Sequence, residues 1–332
     1  MKYNDIPTSA STGLISAELY RKYPFQRFPQ KYEDSVRKEV WELSENSAGV
    51  SVCFTTNSNM LSFKWSVKNN LKMNHMTDVG IKGLDIYQYV NDKWGYLSSG
   101  LPKTSDNEHS IKLKNKNIDR KFCIYLPLYD TLTKLSIGIN SDSRIKYFTN
   151  KRKPIVFYGT SITQGGCASR PGLVHTNIIS RKIGYPSINL GFSGNGHLET
   201  RIGEILSTIH AKCFVIDCLP NVNISQIKSN VIPLVKSIRS TNKSNHCPII
   251  FIEQPLIHDQ YIEEDVKKKN YLLANQIKEC NKLGFKEIHL LNQVNSLGSD
   301  NEATVDGVHY NDIGFLRFAR HIYEHIEKLI QL

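Results

Sequence analysis

Hydrophobic and polar positions change rhythm near residue 150. Before it, apolar and polar residues nearly alternate in short runs at 36–43, 49–55, 60–67, 84–90 and 122–126. Turn-forming clusters such as Glu45-Asn-Ser, Thr56-Asn-Ser-Asn and Asn91-Asp-Lys separate them. A period of two, interrupted this often, predicts an all-β sandwich, and no helical period here exceeds two turns. Beyond residue 150, short apolar runs at 155–158, 187–190, 213–217, 249–253 and 288–291 alternate with helical periods. That alternation predicts βαβ units on a mostly parallel sheet.

The intervening helices have recognisable ends. The first is expected from Pro171, suited to an opening helical position, to Gly184, suited to the left-handed position past a helix end. The second carries Leu198, Ile202, Ile205, Leu206 and Ile209 on one stripe. A third, at 225–240, contains Pro233, which is expected to kink or interrupt it. A long helix at 263–283 and a last one at 311–330, with Phe315, Phe318, Ile322, Ile326 and Ile330, complete the set. The expected organisation is a sandwich domain at 1–148 and an α/β domain at 149–332.

Composition changes this picture little. With 332 residues, 40% hydrophobic and 22% charged, the chain has material for two domains with proper cores. It has no apolar run of membrane-spanning length, and Met1-Lys-Tyr-Asn-Asp-Ile-Pro has no signal-peptide core, so a cytoplasmic location is expected for the chain as it stands. The alternative is a periplasmic location after removal of a signal peptide. Seven cysteines, an odd number without C-x-x-C pairs or metal-type spacing, predict free thiols and no metal. A net charge of +11 raises nucleic acid and membrane surfaces as partners. The basic clusters Lys151-Arg-Lys153 and Lys267-Lys-Lys269 are short and not interleaved with aromatics, so neither partner is expected.

The chemistry concentrates where the second domain's strands end, the edge at which parallel sheets bind ligands. Gly159-Thr-Ser161 follows the first strand, and Gly191-Phe-Ser-Gly194-Asn-Gly196 follows the second. Cys218-Leu-Pro-Asn221 follows the third, and Asp306-Gly-Val-His309 opens the last helix. Singly, each has a plain structural explanation: turn serines, capping aspartates and half-buried histidines are common. Jointly they supply a nucleophile, oxyanion donors, a base and an orienting acid. Ser193 competes as nucleophile, since Gly191-Phe-Ser-Gly-Asn195 nearly imitates a G-x-S-x-G elbow. Arg170, His197 and Glu253 are further candidates for touching substrate; His175, Gln254 and His258 are others on position alone.

Taken together, these blocks resemble the SGNH-hydrolase, or GDSL-esterase, superfamily. Gly159-Thr-Ser161 looks like its first block, Gly194 its oxyanion glycine, Asn221 its oxyanion asparagine, and Asp306-Gly-Val-His309 its acid and base. Gly83-Leu-Asp85-Ile-Tyr87 resembles the G-x-D-L-Y signature of the β-sandwich domain that precedes the catalytic domain in one subgroup. Asp85 is expected to be structural, within the sandwich or at the domain junction.

The resemblance implies a flavodoxin-like three-layer α/β/α domain with a five-stranded parallel sheet. It also implies a Ser161–His309–Asp306 triad, with Ser161, Gly194 and Asn221 forming the oxyanion hole. The implied activity is hydrolysis of short acyl esters, most plausibly acetyl, on a small molecule or oligosaccharide, without cofactor. A thioesterase or phospholipase-like acylhydrolase and a non-catalytic glycan-binding protein stand as alternatives; the sugar and the oligomeric state stay open. The chain departs from the family where Thr160 replaces a common Asp, where Leu219-Pro-Asn-Val222 replaces Gly-x-Asn-Asp, and in the inserted Gly165-Gly-Cys-Ala-Ser-Arg-Pro-Gly172, which is expected to shape the pocket.

Overall fold

The computed structural model describes residues 1–241, 246–256 and 260–330; His258 lies outside them. The N-terminal half contains β1 (Lys2–Asp5), β2 (Ser11–Thr12), α1 (Lys38–Ser44), β3 (Ser51–Thr56), β4 (Met60–Val67), α2 (Asp78–Lys82), β5 (Leu84–Val90), β6 (Lys93–Gly100), β7 (Asp106–Lys112), β8 (Arg120–Tyr125), β9 (Leu132–Ile139) and β10 (Ile145–Phe148). These strands form two antiparallel sheets, ordered β1-β9-β4-β7 and β10-β3-β8-β5-β6, with β2 beside β3. Alternate residues such as Val52 and Phe54, Leu61, Phe63 and Trp65, and Phe122 and Ile124 point into one core between the sheets.

The second half contains β11 (Ile155–Gly159), α3 (Ser161–Gln164), α4 (His175–Ile183), β12 (Ser187–Gly191), α5 (Thr200–Ser207), β13 (Cys213–Asp217), α6 (Ile224–Ile238), β14 (Ile249–Ile252), α7 (Gln260–Lys282), β15 (Ile288–Leu291) and α8 (Asp312–Ile330). All five strands are parallel, in the order β12-β11-β13-β14-β15. Alternation along β11 feeds both faces of the sheet. Ile155 and Phe157 join a core with Ile179, Phe315 and Phe318 from α4 and α8. Val156 and Tyr158 join another with Ile202, Val231, Leu234 and Leu273 from α5, α6 and α7. The result is the expected three-layer domain, with its switch of strand order between β11 and β13, where ligands bind in this topology.

Three local expectations change. Residues 36–43 were expected as a strand but form α1: Val36, Val40 and Leu43 also fit an i, i+4, i+7 stripe, and they pack on a core of the parallel sheet. The helix expected from Pro171 splits into a 3-10 turn at Pro171–Leu173 and α4, with Val174 extended between them, while Gly184 ends α4 at φ +68° as expected. Helix α6 runs through Pro233 without interruption. The proline leaves unbonded the carbonyl of Ser229, an exposed residue that water can reach.

The halves are not separate beads. Ile15, Phe28, Tyr32, Val40 and Trp41 belong to one core of the α/β sheet, and Ala48, Ile81, Leu128 and Tyr129 to the other. Arg27 is fully buried; its guanidinium donates to the carbonyls of Leu43, Asn46, Asn189 and Gly191 and lies 4.9 Å from the Phe192 ring centroid. Burial lowers its pKa to about 9.

At a second seam, Asp85 accepts from Arg170 Nη1 (2.6 Å), Gly172 N–H (2.8 Å) and Ser99 Oγ (3.1 Å). Arg170 also donates to Tyr87 Oη and stacks 4.1 Å from the Tyr96 ring centroid. The G-x-D-I-Y stretch is thus a clasp across the junction. Burial pushes the Asp85 carboxyl up from its ordinary range, and these three donors counter the push. Removing one member of a buried pair costs about 3–5 kcal/mol, and Arg170 is part-exposed, so the low end applies. Asp85→Ala is expected to lower unfolding free energy by about 3 kcal/mol in urea titration; a loss below about 1 kcal/mol would show that the clasp is dispensable.

Candidate active site

Strand β11 ends at Gly159, where an added Cβ would lie 2.1 Å from Thr163 Oγ1 and 2.6 Å from Asp217 O, so only glycine permits the tight exit. Thr160 then caps α3, its hydroxyl accepting Ile162 N–H at 3.3 Å. Thr160 thereby supplies a side-chain oxygen at the position where the family often has Asp. Ser161 opens the turn, so its N–H has no intrahelical partner. Tyr129 Oη donates to the Ser161 carbonyl, and Gly165 N–H and Gly166 N–H bond to the same oxygen. The turn is held from both halves of the chain.

Ser161 Oγ lies 2.8 Å from His309 Nε2, and His309 Nδ1 lies 2.8 Å from Asp306 Oδ2. The other Asp306 oxygen accepts the Val308 and His309 N–H groups at 3.0 and 2.8 Å. Burial works against the Asp306 charge, but those N–H groups and the imidazole outweigh it and hold the carboxyl down at about 2. An ionised Asp306 fixes the proton on Nδ1 and leaves the Nε2 lone pair toward the serine hydroxyl.

Gly194 and Asn221 border the same edge. Gly194 adopts φ +68° in the turn after β12 and faces open space. Asn221 closes a 3-10 turn after β13 that Pro220 helps to form; its Oδ1 accepts Gly196 N–H at 3.3 Å, which links the two turns. Among the described residues its Nδ2 makes no hydrogen bond and stays available to a ligand. Buried Gln164 ties the edge together, donating to Leu128 O and accepting Ser193 N–H.

A family model of GDSL-like lipases and acylhydrolases matches residues 152–327, and a model of the GxDLY N-terminus of SGNH-hydrolase-type esterases matches residues 1–145. The chain belongs to the GDSL-like lipase/acylhydrolase family. Among solved structures, it is similar to a Bacteroides ovatus protein described as a GDSL-like lipase, with 34% identity, 99% of this chain and 98% of that one covered, and TM-score 0.92. It shares its fold with a salicylyl-acyltransferase from a tetracycline biosynthetic pathway (16% identity, 99% and 97% covered, TM-score 0.80). A family two carbohydrate esterase from Clostridium thermocellum, solved with cellohexaose, also shares it (11%, 85% and 92%, 0.63). No curated protein matches the chain.

Other residues singled out in this GDSL-like hydrolase stand elsewhere. Arg170 is committed to Asp85, Tyr87 and Tyr96, so the substrate contact considered for it gives way to the domain clasp. His197 Nε2 contacts the Gly194 carbonyl at 3.0 Å and buttresses that turn. Glu253 lines a separate cavity of about 340 Å³ with Gln254, Asn270 and Gln293, and burial raises its carboxyl pKa. His175 is buried against Phe157, Phe315 and Phe318, and burial lowers it to about 3. Ser193 contacts Gln164 through its N–H, and the acid–base pair faces Ser161.

Two further residues reach the site, one of them from the inserted 165–172 stretch. His75, from the N-terminal half, lies with its ring tilted against His309, centroids 5.6 Å apart. Cys167, at φ +73°, is buried, and burial with the nearby Asp306 charge pushes its thiol up to about 12. Neither lies in a motif; only folding brings them there.

Asp217 sits buried at the end of β13, with a 3.3 Å hydrogen bond from Thr163 Oγ1, and burial raises its carboxyl from 3.8 to about 7. Between those values the folded chain holds a proton that the unfolded chain has released, so stability falls as pH rises from about 4 through about 7. At about 1.4 kcal/mol per pH unit the full loss is about 4 kcal/mol at most. Asp217→Asn is expected to melt above wild type at pH 8.5, with the gap closing toward pH 4. Equal melting temperatures at pH 8.5 would refute the buried, protonated carboxyl.

Proposed function

We propose that this hydrolase removes short acyl groups, acetyl foremost, from a carbohydrate ester through an acyl-enzyme on Ser161. The observation that carries the reading is the unbroken row Ser161 Oγ–His309–Asp306, with both links at 2.8 Å. His309 Nε2 takes the hydroxyl proton as Oγ bonds to the ester carbonyl carbon, and Asp306 stabilises the imidazolium without taking the proton. The oxyanion meets the Ser161 and Gly194 N–H groups and Asn221 Nδ2. Collapse expels the sugar alcohol, which takes the proton from His309. Water, with His309 again as base, then releases the acid and restores the serine.

The short acyl preference rests on size. A cavity of about 20 Å³ lies among Ile162, Pro220, Gly307, Val308 and Tyr310, next in sequence to Ser161 and His309 or across from them. Such a space holds about one water-sized group, which suits an acetyl methyl better than a fatty chain. The carbohydrate part rests on the likeness to the family two carbohydrate esterase. The substrate comes from solution, with neither nucleic acid nor membrane as partner. Among the described residues no helix is long and apolar enough to cross a membrane.

The direct test is acetate release from a panel of O-acetylated sugars, with p-nitrophenyl acetate as reporter. Ser161→Ala is expected to lower turnover at least about 1,000-fold, and Asn221→Ala about 100- to 1,000-fold. Unchanged turnover in Ser161→Ala would exclude it as nucleophile; abolition by Ser193→Ala alone in folded protein would favour the elbow. Preference for octanoyl esters or acyl-CoA over acetyl would favour a phospholipase-like enzyme or thioesterase. Absence of fluorophosphonate labelling would favour a glycan-binding module.

A further inference from the structure

The donor atoms of His75, Cys167, Asp306 and His309 all lie within 4.8 Å of one another. They come from three distant segments, which is why no metal-type spacing marks the sequence. Backbone contacts hold these segments together. Thr77, two residues after His75, donates through its hydroxyl to Ser169 O. A Cβ on Gly80 would lie 2.3 Å from Ala168 O, so the backbones of the 75–80 and 167–169 segments are in direct contact. Cys167 has a left-handed backbone that sets the direction of its Cα–Cβ bond, and the turn at 306–309 is locked by the two N–H bonds to Asp306.

We infer that these four side chains form an inhibitory site for one zinc ion. Two imidazoles, a thiol and a carboxylate are the donor types that zinc combines in four-coordinate sites, and a thiolate among them disfavours magnesium and calcium. At metal–ligand distances of about 2.0–2.3 Å, tetrahedral donors sit roughly 3.3–3.8 Å apart. Rotations that draw the present cluster in by about an ångström therefore complete it. On binding, the Cys167 proton passes to solvent and a sulfur–zinc bond replaces the S–H bond; the imidazoles bind through lone pairs and the carboxylate through an oxygen.

The consequence follows from shared residues. An ion on His309 and Asp306 withdraws the base from Ser161 or the carboxylate from the base, and either stops acyl transfer. This inhibitory half rests on the triad proposed above; the binding half does not. His75 and Cys167 are needed for the ion and take no part in the proposed hydrolysis.

The test uses the full chain and two readouts. Cobalt(II) substitution is expected to give one equivalent of binding, with a thiolate-to-cobalt charge-transfer band that Cys167→Ser removes. Zinc chloride is expected to inhibit p-nitrophenyl acetate hydrolysis reversibly, with activity restored by EDTA. His75→Ala and Cys167→Ser should keep basal activity and require at least about 10-fold more zinc for the same inhibition. Absence of the thiolate band, or equal zinc sensitivity of wild type and both variants, would overturn the site. A thiolate band with undiminished hydrolysis would keep the site and overturn the triad instead.

Discussion

The architecture depends on one buried cation. Arg27 has no carboxylate partner among the described residues, and its charge is held by four backbone carbonyls, two from its own half of the chain and two from the end of β12. A planar guanidinium can serve several carbonyls in fixed directions, which the point charge of a lysine cannot. The guanidinium gives those carbonyls a charged donor, and without them Arg27 would be a buried ion lacking compensation. Each side therefore requires the other. Because Asn189 and Gly191 lie just before the turn that carries Gly194, the contact that joins the halves also fixes one wall of the candidate site.

The same logic recurs along the junction. Asp85 accepts from the Arg170 guanidinium and the Gly172 N–H, Tyr129 and Leu128 bond to the turn carrying Ser161 and Gln164, and Thr77 meets Ser169. The sandwich has its own core, whereas both cores of the parallel sheet include residues from the first half. The sheet thus packs on segments from both halves of the chain, whereas the sandwich strands close on themselves. The inserted stretch after Ser161 is the surface on which the sandwich rests, so its glycines serve close backbone approach as much as turning.

What was legible in the sequence was what local pattern determines. The parallel strands stand out because most are buried on both faces and their runs are largely apolar, as in β11 and β14. The blocks at Ser161, Gly194, Asn221 and 306–309 stand out because strand ends are fixed by topology. Strand β7, Asp106–Lys112, was passed over because only Ile111 along it is a large apolar residue, and β6 because much of it faces solvent. Segment 36–43 satisfied both periods, and only its packing partner decides between them. Arg27, His75 and Cys167 carry no local signature at all. Their roles come from contacts across large separations in the chain, as does the diversion of Arg170 to Asp85.

Two carboxylates near the active edge show how environment, and not residue type, assigns roles. Asp306 stands part-exposed at a turn whose backbone offers two N–H groups, and these together with the imidazole hold its carboxyl down at about 2. Asp217 ends the central strand next to Ser161's own turn, which on position alone makes it a rival for the acid. Yet it is buried, its only side-chain partner among the described residues is the Thr163 hydroxyl, and its carboxyl rises to about 7. A group that gives up its charge near neutrality cannot steadily stabilise an imidazolium, whereas one charged down to about pH 2 can. The backbone of a four-residue turn thus decides which of two aspartates at one sheet edge is fit to orient His309.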